Sequence, residues 1–126
     1  MKRHAAREKA FQILFQIDLN ELDPTQALAE HNETGDTDSF LERLVKGVVE
    51  QKDTIDDSIS NHLENWTIKR IASVEKTILR IATYEITYLE DIPTNVSINE
   101  AVELANKYGD DKSGKFVNGV LSKIIA

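Results

Sequence analysis

Along most of the chain apolar residues recur at every third or fourth position, and no segment alternates apolar and polar residues as a half-buried strand would. The first stripe, Ala6, Ala10, Ile13, Leu14 and Ile17, predicts a helix from about Arg3 to Leu19. Asp23-Pro24 then offers a capping carboxylate and a first-turn proline for a short helix reaching about His31. The stretch from 32 to 38, NETGDTD, reads as an acidic, turn-rich loop. A third helix carries Phe40, Leu41, Leu44, Val45, Val48 and Val49. A fourth, beginning near Asp53, shows Ile55, Ile59 and Leu63 at fourfold spacing.

The segment NWTIKRIAS bends the chain and leads into the longest apolar helix, roughly Val74–Leu89. Its apolar positions span an arc of about 220°, too wide for a helix lying on a surface, so it is expected at the centre of a bundle. Asp91-Ile92-Pro93 ends it. Ser97-Ile98-Asn99-Glu100 has the form of a capping box, predicting a helix start there and a stop at Gly109 in a left-handed cap. After DDKS a last helix carries Phe116, Val117, Val120, Leu121 and Ile124. The expected architecture is all-α: a compact bundle of about seven helices in one domain spanning residues 1–126. Its N-terminal helical half covers about 1–64 and its C-terminal half about 65–126, with the acidic loop as a candidate subdomain boundary.

Composition sharpens this picture in a few places. The absence of cysteine excludes disulfides and thiolate metal sites, and fits a reducing, cytoplasmic setting. No apolar run approaches the ~20 residues that span a bilayer, and the basic N-terminus has no apolar stretch behind it, so a secretory signal is not expected. Net charge is −7, which argues against indiscriminate coating of nucleic acid. Its distribution is uneven, with +3 over residues 1–17, −10 over 18–64 and zero over 65–126. A basic tip on an acidic body attracts a polyanion locally and repels it elsewhere, which favours orientation over tight generic binding.

Most apparent chemical motifs have a plainer reading. Gly109 to Lys115, GDDKSGK, has P-loop spacing, but Phe116 replaces the required hydroxyl, a helix precedes it, and its two aspartates would repel triphosphate. A helix-to-helix turn explains its glycines better. His4, His31 and His62 lack ligand spacing, so no metal or cofactor is expected. No nucleophile motif is present, and no enzymatic activity is expected. Asn65-Trp66-Thr67 and Asn95-Val96-Ser97 match the glycosylation triplet, yet Thr67 and Ser97 read more simply as helix caps.

Three features point further. Glu85 falls inside the apolar arc of the central helix, where a bare carboxylate is costly, so it requires a cationic partner or backbone donors. On the first helix, Arg7 flanks the apolar stripe, with His4, Phe11 and Phe15 continuing round that side. A guanidinium and rings on one flank suit phosphate binding and base stacking, while the same rings equally suit a core. Phe116 lies at the edge of its stripe near a helix N-terminus, with Lys112 and Lys115 adding positive charge. A packing ring with solvated lysines is the alternative.

The blocks AREKAFQILFQIDL, ILRIATYEI, IPTNVSINEAVELANKYG and KFVNGVLSKI, in this order and spacing, resemble the NusB family of bacterial transcription antitermination factors. The resemblance covers nearly the whole chain and is weakest over residues 20–38. It implies two helical subdomains and binding of the boxA element of ribosomal RNA leader transcripts as single-stranded RNA. It also implies joint action with the ribosomal protein NusE, indirect contact with other Nus factors and RNA polymerase, and transcription of rRNA genes past terminators. Carried over residue by residue, the implied RNA contacts are Lys2, Arg3, Arg7, Phe15, Glu75 and Phe116. His4 stands where other versions are richer in arginine and, with Lys112 and Lys115, joins the candidate RNA-binding set. A related helical domain occurs fused to ribosomal RNA methyltransferases, whereas this chain resembles the standalone factor. The alternative function is a protein-interaction scaffold whose RNA contacts come mainly from its partner.

Overall fold

The structure, a computed structural model, describes residues 1–32 and 38–126. Among them are seven α-helices, one 3₁₀ turn and no strand. The helices are α1 (Arg3–Asn20), α2 (Pro24–Asn32), α3 (Ser39–Glu50), α4 (Lys52–Ser60), α5 (Ser73–Tyr88), α6 (Thr94–Tyr108) and α7 (Asp111–Ile125). The 3₁₀ turn, Ile68–Arg70, occupies the bend expected before the central helix. The all-α expectation is therefore met. Most of the acidic loop, residues 33–37, lies outside the described residues.

Helix α5 packs against α1, α3, α4, α6 and α7, and every residue from Thr77 to Glu85 is buried. That is the behaviour its wide apolar arc calls for, since no face of it is left for water. Around it, Leu41 and Leu44 of α3, Ile55 and Ile59 of α4, and Val117 and Leu121 of α7 are almost wholly buried in one core. Two short capping contacts start the helices beside this core. The Asp38 side chain accepts from the Leu41 amide at 3.0 Å, and Asp110 accepts from the Ser113 amide at 2.9 Å.

Local expectations failed where another partner claimed a polar group. Helix α6 begins at Thr94, immediately after Pro93, so Ser97 lies inside the helix rather than at its cap. Its hydroxyl donates to Glu85 at 3.0 Å, and Glu100 turns to His4 instead of closing a capping box. Thr67 occupies the N-cap position of the 3₁₀ turn without a side-chain capping bond. Gly109 is not left-handed: its φ is −114°. Glycine is needed there for space, because a Cβ would come within 2.4 Å of the Ser113 hydroxyl and 2.9 Å of the Ala105 carbonyl oxygen.

Candidate nucleic-acid interface

Side-chain pairings fix how the helices run past one another. Arg7 meets Glu85, and Asp18 lies 3.4 Å from Arg80, so α1 runs antiparallel to α5. His4 meets Glu100 and Gln12 donates to the Tyr108 hydroxyl at 3.0 Å, so α1 runs parallel to α6. The C-terminal part of α1, the start of α5, the end of α6 and the start of α7 therefore share one end of the bundle. Lys2, Arg3 and His4 lie at the other. At about 1.5 Å rise per residue, the α1 positions of Arg3 and Phe15 are separated by roughly 18 Å.

Arg7 is a correction to the expected surface. The residue is 3% exposed, and its guanidinium donates three hydrogen bonds to Glu85, at 2.8, 2.9 and 3.1 Å. Burial at the α1–α5 seam forces this pairing, because an isolated guanidinium and an isolated carboxylate would each be strongly penalised there. Arg7 also sits 3.8 Å from Glu100 and 5.3 Å from the centre of the Phe40 ring. It is the cationic partner that Glu85 required, and it is not free to meet a phosphate. Phe11 is likewise core, 3% exposed and packed on Tyr108 at 4.7 Å between ring centres.

At the N-terminal end the remaining cations differ in availability. Arg3 lies 3.7 Å from Asp91 and 4.9 Å from the Phe40 ring centre, with more than half of its side chain exposed. His4 Nδ1 lies 2.6 Å from Glu100, whose hydrogen bond and charge raise the imidazole pKa above its ordinary value. Glu103 stands 3.8 Å away on the same helix. Lys2 and Lys9 are exposed and make no ion pair among the described residues.

The other end brings expected residues together. Glu75, Lys112 and Phe116 line one cavity of about 400 Å³. Helix α5 supplies Glu75 from its first turn, and α7 supplies Lys112 and Phe116 from its own beginning. Burial, aided by the charge of Asp110, raises the Glu75 carboxyl above its ordinary pKa. The capping amide of Ser113 lowers the Asp110 carboxyl, so that group stays committed to the helix start. Phe15 is partly buried and stacked on Phe11 at 5.6 Å, at this same end but outside the cavity lining. Lys115 lines a different groove between α6 and α7, with Asn99, Asn106 and Asn118.

Two lining residues were missed in the sequence. Trp66 and Arg70 reach the same cavity from the segment before α5, together with Ile71 and Ala72. The available signal was a lone tryptophan in a polar linker, three residues before the KR pair. A larger groove of about 670 Å³ between α2 and α3, lined by Leu28, Val45 and Val49, contains none of the expected residues.

Helices, cavity and exposed basic end together define a small all-helical factor with a recess that combines aromatic, cationic and carboxylate groups. The chain belongs to the NusB family, which it matches over residues 4–126. It is 62% identical to the transcription antitermination protein NusB of Oceanobacillus iheyensis, across the full length of both chains. Its fold is similar to that of T. maritima NusB, with a TM-score of 0.90, 39% identity and coverage of 98% of this chain and 90% of that one. It is also similar to a chain in the crystal structure of the antitermination factors NusB and NusE in complex with double-stranded RNA. That match has a TM-score of 0.85 and 34% identity, and covers 98% of this chain and 97% of the other. The family is one of transcription antitermination factors, not of enzymes.

Proposed function

We propose that this protein is an RNA-binding antitermination factor that recognises boxA in ribosomal RNA leader transcripts as a single strand, together with the ribosomal protein NusE. In this reading it acts in the cytoplasm, and through NusE and other Nus factors it accompanies RNA polymerase and promotes transcription of rRNA genes. The observation that carries the proposal is the convergence of Glu75, Lys112 and Phe116 on one cavity from two helices. A ring stacks a base, a lysine meets a phosphate, and a carboxylate accepts hydrogen bonds from a base edge. Phe15 stands at that end, while Lys2, Arg3 and His4 offer a second, electrostatic contact further along α1; Lys115 adds charge beside α7. Arg7 serves this surface by holding α1 against α5.

One observation favours a strong dependence on the partner. Arg7 is taken up in the core, and Arg3 and His4 each face carboxylates. The N-terminal end therefore attracts phosphate less than its sequence charge implies, and a basic partner would extend the surface. Filter binding of a boxA single strand, with and without NusE, tests both points. Markedly tighter binding with NusE is expected. Equal affinity would remove the partner dependence, and no binding in either case would remove the RNA reading.

A further inference from the structure

We infer that Trp66 and Arg70 complete a single-nucleotide pocket with Phe116 and Glu75. One unstacked base lies on the Trp66 ring with an amino-bearing edge toward Glu75, and Arg70 holds an adjoining phosphate. This rests on the RNA-binding reading above and adds to it two residues and a base preference.

Trp66 is 56% exposed although it is the largest apolar side chain in the protein. Its neighbours take the inward positions: Leu63 and Ile68 pack against the core, and Ile71 is buried within it. The chain is held to the core on both sides of the ring, by Leu63 before it and by Ile68 and Ile71 after it. Glu64 pairs with Lys123 of α7 at 2.9 Å, and Asn65 adopts a left-handed conformation with φ 64°. The indole is thus held at a cavity wall by an anchored backbone, a preorganised face for stacking.

Asp110 and Ser113 of the cavity are hydrogen-bonded to each other, while two of its charged side chains remain available. Neither the Glu75 carboxylate nor the Arg70 guanidinium has a hydrogen bond or ion pair among the described residues, although Glu75 is partly buried. An ionised carboxylate only accepts, so it favours a base presenting an exocyclic amine over uracil, whose edge is dominated by carbonyl oxygens. Arg70 and Lys112 place positive charge at the same cavity, where the flanking backbone of a nucleotide would pass. A volume of about 400 Å³ accommodates a nucleotide and not a duplex.

Trp66 is the only tryptophan in the chain, so protein labelled with 5-fluorotryptophan gives one ¹⁹F resonance, readable even beside unlabelled NusE. Titration with a boxA oligoribonucleotide should shift that resonance with the same midpoint as filter binding. Trp66→Ala should weaken binding about 5- to 150-fold, the range of one lost stack, while Trp66→Phe retains most of it. Arg70→Ala should weaken binding with a shallower salt dependence. Making the RNA abasic one position at a time should identify a single position whose loss adds nothing to Trp66→Ala. Circular dichroism melts of these surface variants should match wild type.

If the RNA binds but the resonance stays fixed and Trp66→Ala binds normally, the pocket is refuted while the RNA-binding reading stands. If NusE alone moves the resonance and RNA does not, the recess is a protein contact and the proposal is overturned. Absence of RNA binding by the wild type with NusE would overturn both.

Discussion

Replacing Arg7 with alanine would leave the carboxylate of Glu85, a residue 1% exposed, with the Ser97 hydroxyl as its only remaining hydrogen-bond partner among the described residues. Three charge-assisted hydrogen bonds would go, and a carboxylate would stay in the seam between α1, α5 and α6 without its counter-charge. Breaking a buried pair from one side costs about 3–5 kcal/mol. For a chain of this length that corresponds to a melting temperature lower by roughly 12–20 °C, at about 4 °C per kcal/mol. Glu85→Leu should cost a similar amount, because it orphans the guanidinium, for which Glu100 at 3.8 Å is a poor substitute. The double variant Arg7→Met with Glu85→Leu should recover most of the loss, since apolar replacement of a buried pair is often neutral or stabilising. Thermal melts followed by circular dichroism give these values, and RNA affinity is then measured well below each melting point. The reasoning is refuted if Arg7→Ala melts within a few degrees of wild type yet loses RNA binding, because the arginine would then be a phosphate contact.

Gly47→Ala should destabilise by about 1–3 kcal/mol in urea titration, because its Cβ would fall 2.1 Å from the buried Tyr84 ring; overpacking outweighs the better helix propensity. Gly119→Ala should instead stabilise by about 0.5–1 kcal/mol, since nothing lies within 4 Å of its Cβ, and a loss would mean that this face is not open. The folded protein holds the Glu75 proton more tightly than the unfolded chain, so this group's contribution to stability falls as pH rises from 4.5 through its raised folded value. Glu75→Gln should flatten that part of the urea-midpoint profile, and an unchanged profile would count against burial of the carboxyl. Phe116→Ala should weaken boxA binding by about 1–3 kcal/mol with an unchanged salt slope, whereas Lys112→Ala should reduce the slope by about one.

Helix number and order were legible because stripes of apolar residues are local: Leu41, Leu44, Val45 and Val48 announce α3 without reference to anything else. The burial of α5 was legible for the same reason. What sequence could not resolve was competition between partners distant in the chain. Ser97 and Glu100 fit a capping box locally, but Glu85 and His4 claim them across the fold. Glu85 visibly lacked a partner, and Arg7 visibly lacked a role other than binding. Only their meeting over 78 positions shows that each answers the other. Trp66 escaped notice because a lone exposed ring in a linker carries no period, and the cavity that gives it meaning is built by α5 and α7.

RNA is expected at the end of the bundle where α5 and α7 begin, with a second contact at the N-terminal turn of α1. Titrating ¹⁵N-labelled protein with unlabelled boxA RNA, followed amide by amide, tests this placement most directly. The largest shifts are expected over residues 66–75 and 110–116, with smaller ones at residues 2–4, all saturating together. Shifts confined at saturation to the groove between α2 and α3, with the cavity amides unmoved, would contradict the account.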